Sequence, residues 1–169
     1  MNLEYKKLNE ITFIGYYTSI KIDEGYEKCP EFWDKEYAEK YQRLFTTRKS
    51  ENDEEQAVLE NGIGMYALCV NNDNDFQYWI DGEYKGGKVP ENLSLFTFPE
   101  SQWALFSTKG PIPSSIQELN TYIWDVWMRK EGQELGANVN ATIEVYSMGN
   151  PRSPEYESGI WIPISKKPE

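Results

Sequence analysis

The sequence predicts an α+β fold with antiparallel strands, on three observations. Two stretches carry apolar residues at helical spacing. Several short runs rich in aromatic and β-branched residues are joined by brief polar turns, which favours antiparallel pairing. The order strand, helix, strand, strand occurs twice, over residues of about 3–84 and about 93–164. A length of 169 residues suits roughly one domain, so we read 1–169 as a single unit of two half-repeats. The place where two such halves meet is a natural ligand cleft.

Taken in order, residues 11–20 (ITFIGYYTSI) read as a strand. Residues 31–45 place Trp33, Tyr37, Tyr41, Leu44 and Phe45 three and four apart on an otherwise charged segment, which is an amphipathic helix. The polar, acidic stretch 46–61 reads as a surface loop or a frayed extension of that helix. Residues 62–70 and 76–84 are strands, and the NNDND turn between them makes a hairpin. After KGGK the pattern restarts with extended segments at 93–98 and 102–108, interrupted at Pro99. Ile116, Leu119, Ile123, Val126 and Trp127 then mark a second helix over 115–130, with Ser115 and Glu118 spaced as a capping box. Strands at 142–148 and 159–164 complete the chain.

Composition narrows the function. Seventeen basic against 28 acidic residues give a net charge of −11, which repels phosphate backbones and anionic lipid, so no nucleic-acid or membrane partner is expected. Histidine is absent, removing the histidine-dependent catalytic pairs and imidazole metal ligands. Cys29 and Cys69 lie too far apart in sequence for a C-x-x-C pair, so neither a disulfide framework nor a zinc site is expected, and a reducing cytoplasm is the simplest setting. The N-terminus shows no signal peptide, and no apolar run is long enough to span a bilayer. Aromatic residues make up 15% of the chain, including 6 Trp and 12 Tyr, which suits a site for a planar or cationic guest.

Motifs for other chemistries fail. Counting from Asp73, the sixth and twelfth positions of a calcium loop are Tyr78 and Tyr84 in place of glycine and glutamate. The glycine pairs near 62 and 86 lack the phosphate-loop context. No cofactor or metal is expected. Glu144 is the most informative acid. In the strand IEVY, Thr142, Glu144, Tyr146 and Met148 share one face and Ile143, Val145 and Ser147 the other. Glu144 either points to water or, if its face is covered, needs a cation or hydrogen-bond donors. Trp33, Tyr37, Tyr41 and Trp127 suit core packing, whereas Trp124 sits on the flank of its helix stripe, where Tyr66, Tyr78 and Trp103 could line a cleft with it.

Several segments together resemble the GyrI-like small-molecule-binding domain, the effector-binding domain of AraC-type and MerR-type regulators, in a stand-alone form. They are PESQWALFSTKG (99–110), YIWDVW (122–127), IEVY (143–146) and GIWIPI (159–164), with FIGYY, GMYALC and FQYWIDGEY upstream. The resemblance spans nearly the whole chain and implies two β-α-β-β modules in a pseudo-twofold arrangement with the ligand cleft at their junction. It further implies hydrophobic cations as ligands, a pocket glutamate at Glu144, and aromatic walls at Trp33, Tyr78, Trp103, Trp124 and Tyr146. No helix-turn-helix unit is present, so direct DNA binding is not implied.

Three functions follow as expectations. The first is a stand-alone binding protein for small hydrophobic, aromatic, cationic molecules, acting as a sensor or a drug-sequestering module. The second is a hydrolase of strained alkylating natural products, as some family members are, with Glu144 as general base and Tyr146 or Tyr78 positioning the electrophile. The third is an inhibitor that docks on a protein partner through its acidic surface.

Overall fold

The first seven residues after Met1, which the sequence reading leaves without an element, form a strand. In the computed structural model, which describes residues 1–168, β1 (Asn2–Leu8) pairs antiparallel with β6 (Ser101–Lys109), from Asn2↔Ser107 to Leu8↔Ser101. The chain forms two compact units, one of Thr12–Phe98 and one of Met1–Ile11 together with the chain from Pro99 onward.

In the first unit, β2 (Ile11–Lys21) leads through a short 3-10 turn into α1 (Gly25–Trp33). A π-helical segment (Asp34–Glu39), α2 (Gln42–Thr47) and α3 (Asp53–Glu60) follow, then β3 (Tyr66–Asn71), β4 (Asp75–Glu83) and β5 (Ser94–Phe98). The strand order is β3-β4-β2-β5, with β4 antiparallel to both neighbours. On one face of this sheet Ile14, Ile80, Tyr41, Leu44, Ala57 and Val58 form a buried core with the helices. On the other, Phe13 meets Tyr66 and Phe98 edge-on, and Trp79 stacks on Tyr17.

Three local expectations change. The first helix begins at Gly25 rather than residue 31, and it does not run unbroken to residue 45. Pro30 lies inside α1 and has no N–H to donate, and the regular ladder gives way to the π-helical segment one turn later. Within the stretch read as a loop, α3 forms because Asn52 Oδ1 accepts the Glu55 N–H at 2.8 Å, while Glu55 Oε1 accepts the Glu51 N–H at 2.8 Å. Asp53, Glu54 and Glu55 in its first turn also suit the positive end of the helix dipole. The hairpin strand read from residue 62 begins only at Tyr66. Gly64, with φ at 117°, turns the chain there and leaves room for the Tyr37 phenol, which donates to the Ile63 carbonyl at 2.8 Å.

The second unit contains β1, β6, α4 (Ser114–Asp125), a 3-10 turn (Trp127–Arg129), α5 (Glu131–Glu134), β7 (Ala141–Tyr146) and β8 (Glu157–Ile164). Its strand order is β1-β6-β8-β7, every pairing antiparallel. α4 buries Ile116, Leu119 and Ile123, and Trp127 meets Phe106 edge-on at 5.0 Å. The capping box does not form. Pro113 occupies the N-cap without a side-chain bond, and the hydroxyl of Ser115, the second residue of the helix, donates to the Gly110 carbonyl at 3.0 Å. α4 ends at Asp125, and Val126 is solvent-exposed.

Both units repeat one topology. Numbering the three strands of each β-α-β-β module in chain order, each sheet runs added strand, first, third, second: β5-β2-β4-β3 and β1-β6-β8-β7. The added strands are exchanged along the sequence, since β1 precedes the first module and β5 follows it.

Candidate functional site

Glu144 is the fourth residue of β7 and pairs with Ile160, which pairs in turn with Phe106 of β6. Glu144, Tyr146, Ile160 and Phe106 therefore share a sheet face, and the Phe106–Trp127 contact identifies it as the face bearing the helical segment. Both faces of β7 are covered: Ile143 is fully buried on one, while on the other Tyr146 is 9% exposed and Glu144 half-buried. The Tyr146 phenol donates to Glu144 Oε1 at 2.7 Å. A phenol is a neutral donor, so it steadies and orients the carboxylate without cancelling its charge. Glu144 thus keeps part of its surface toward solvent while Tyr146 holds one carboxylate oxygen.

In the Thr12–Phe98 unit, Trp33 and Tyr78 meet. Trp33 lies at the end of α1 and donates its indole N–H to the Tyr78 hydroxyl at 2.8 Å. Tyr78, on the helix-bearing face of β4, is nearly inaccessible, and the Phe32 and Phe76 rings approach it edge-on at 6.2 and 6.3 Å. Trp33 also meets Tyr37 edge-on at 5.2 Å. Each ring is thus held by its neighbours at an angle that suits the aromatic quadrupole.

The remaining expected residues fall elsewhere. Tyr66 does not join Tyr78: it pairs with Asp81, whereas Tyr78 pairs with Cys69, so the two tyrosines lie on opposite faces and Tyr66 packs against Phe13. Trp103 is fully buried and shares a face with Leu105 and Ile143, opposite to Glu144. Trp124 stands on α4, 44% exposed. Strand register, which a single sequence does not contain, thus separates Tyr66 from Tyr78, which were expected to line a cleft together.

Sequence reasoning passed over Asp81, a fully buried carboxylate in β4. Its signal was an acid inside the apolar run FQYWIDGEY. The close fit of β2 against it depends on Gly15, where a Cβ would run into the Ile80 carbonyl and the Asp81 side chain. Burial, then the Glu83 and Asp81 charges, push the Tyr66 phenol up. Burial, with a small opposing effect of Arg48, pushes Tyr37 up to about 12, and burial raises Tyr16 further, with help from Tyr37 and Glu36. These phenols stay neutral at physiological pH, so they serve as hydrogen-bond donors and ring faces rather than as bases. Among the described residues no three Cys, Asp or Glu side chains are grouped to hold a metal ion.

Two units of one β-α-β-β topology, each with an added strand, are the arrangement expected of GyrI-like effector-binding domains. The family model for Cass2, the integron-associated effector binding protein, matches residues 4–164, and the chain belongs to this family. Among solved structures, SAV2435 bound to tetraphenylphosphonium is similar with a TM-score of 0.73 and 18% identity, over 98% of this chain and 94% of that one. An integron cassette protein from the mobile metagenome of Vibrio cholerae gives 0.65 and 12%, over 96% and 95%. The C-terminal domain of EcmrR gives 0.56 and 17%, over 98% of each chain. At such identities the likeness is one of fold. No curated protein matches the sequence. No helix among the described residues is long and apolar enough to cross a membrane.

Proposed function

We propose that the protein binds small, hydrophobic, aromatic cations, as a sensor or a sequestering module, with Glu144 as the charge partner. The observation behind this reading is the Glu144–Tyr146 pair: a carboxylate half withdrawn from water and aimed by a phenol at 2.7 Å. Partial desolvation strengthens its attraction for a cation, and a lipophilic cation loses less hydration on approach than a small ion does. A ring that faces a cation adds about 0.5 to 2 kcal/mol, and Tyr146, bonded to the carboxylate, is the ring we assign to the aromatic part of the ligand. Membership of an effector-binding family supports the reading, as does a relative of the same fold that binds tetraphenylphosphonium. A reducing cytoplasm is the setting we propose, since Cys29 and Cys69 form no C-x-x-C pair and suggest no disulfide framework.

The test is titration calorimetry with tetraphenylphosphonium and with triphenylphosphine oxide, a neutral molecule with the same phenyl groups. The reading predicts saturable binding of the cation and at least about tenfold weaker binding of the oxide, a difference of about 1.4 kcal/mol. Equal affinities would remove the charge partner from the account.

A further inference from the structure

One surface of the Thr12–Phe98 unit lies outside this ligand reading. β2 has eleven residues and β5 only five. The Thr12–Thr97 hydrogen bond, at 2.8 Å, and the Phe13–Phe98 ring contact hold β5 against the start of β2. Five residues long and anchored there, β5 can cover only the earlier part of β2, whereas β4 pairs with it as far as Lys21↔Asp75. A groove of about 490 Å³ follows this open edge. Its lining includes every residue from 16 to 20. Alternate strand residues point to opposite faces, so a groove that touches all five runs along the backbone edge itself.

The facing wall is one helical strip containing Glu24, Lys28, Glu31, Lys35 and Glu36. Lys28 and Lys35 both pair with Glu31, at 3.5 and 3.0 Å. Among the described residues Glu24 and Glu36 have no salt bridge, so each end of the strip keeps an unmatched negative charge. At about 1.5 Å per helical residue these two carboxylates are roughly 18 Å apart, the reach of five or six extended residues. On the other side of the edge Tyr17, 46% exposed, lies stacked on Trp79 at 4.8 Å, and Ser19 and Lys21 are open to solvent.

We propose that this edge receives an extended segment of a partner protein, which adds a strand beside residues 17–21 of β2. Alternate side chains of the segment are basic, facing Glu24 and Glu36, and the intervening ones are aromatic or β-branched, facing Tyr17. Backbone hydrogen bonds along the open edge hold the segment, and the alternation selects it.

The probe is the capped hexapeptide Lys-Tyr-Lys-Val-Lys-Tyr, added to the isotope-labelled full chain and followed by amide NMR. Saturable shifts confined to residues 16–21 and the facing strip are expected, and they persist with excess tetraphenylphosphonium and in Glu144→Gln, which separates this proposal from the ligand reading. The double variant Glu24→Gln, Glu36→Gln weakens the peptide by roughly three- to tenfold at low salt, as loss of two exposed charge contacts implies. Methylating the backbone nitrogens of one alternate set of peptide residues abolishes binding, and methylating the other set does not. No saturation by about 1 mM, equal binding of both methylated peptides, an unaffected double variant, or occupation of the edge by a second copy in ultracentrifugation overturns the proposal.

Discussion

A phenol hydrogen-bonded to a carboxylate two residues away on one strand face fixes the direction of the acid without spending its charge. Tyr146→Phe removes that donor from Glu144 and leaves the ring. We expect tetraphenylphosphonium affinity to fall about three- to tenfold, in line with the roughly 1 kcal/mol net value of such a bond, measured by calorimetry against a wild-type control. A backbone prediction concerns Gly64: its φ of 117° disfavours any side chain, and a Cβ there would overlap the Tyr37 phenol. Gly64→Ala is expected to cost roughly 2 kcal/mol or more and to lower the thermal midpoint by about 5 °C. Circular dichroism melting checks it. At this scale the IEVY pattern singled out Glu144 but left open whether its face is covered, and the pocket role came only from the family resemblance. The faces of Tyr66 and Trp103 were not legible. Each sits in a run with apolar residues on both faces, so alternation alone cannot say which face a ring occupies until the partner strand supplies the register.

Among the elements, α3 is the clearest case of local chemistry overriding an unpromising pattern. DEEQAVLE has little apolar periodicity, and it reads as a loop or frayed helical extension until the Asn52 cap on the Glu55 N–H and the Glu55 bond from the Glu51 N–H close its first turn. Asn52→Ala removes one of those bonds and is expected to destabilise the protein by about 1 kcal/mol, readable as an earlier urea midpoint with an unchanged slope. The same helix carries Glu54. Burial raises its carboxyl, but hydrogen bonds from Tyr41, Asn92 and Lys40, together with the Lys40 charge, outweigh this and hold it below the ordinary carboxylate value. Because its folded value is depressed, its contribution is complete above the ordinary value of 4.5 and is lost as the pH falls through the lowered one. The thermal midpoint of the wild type should drop on acidification below that value, and Glu54→Gln should show a shallower drop over the same interval. The α4 stripe was legible as Ile116, Leu119 and Ile123, yet its start was not: Pro113 sets the first turn, and Ser115 turns its hydroxyl back to Gly110. β1 escaped notice because its charged residues, Glu4, Lys6 and Lys7, suit an edge strand with only Leu3 and Tyr5 as apolar residues on one face.

For the molecule as a whole, duplication was visible in element order while residue identity between the halves was poor, and the matched strand orders of the two units show why. Topology is kept by which strands pair, and pairing tolerates wide changes in the side chains. The exchange of β1 and β5 could not be read, since it depends on contacts between the first and middle thirds of the chain. The net charge of −11 draws cations toward the surface at low ionic strength. Raising salt from about 0.05 to 0.5 M, which shortens the screening length severalfold, should weaken tetraphenylphosphonium binding about two- to fivefold and leave the neutral oxide unchanged. The account rests on the Glu144 carboxylate, and one calorimetric comparison tests it most directly: tetraphenylphosphonium titrated into the wild type and into Glu144→Gln, with melting curves showing both folded. The account predicts about tenfold or greater loss of affinity in the variant; binding of the cation with unchanged affinity would contradict it.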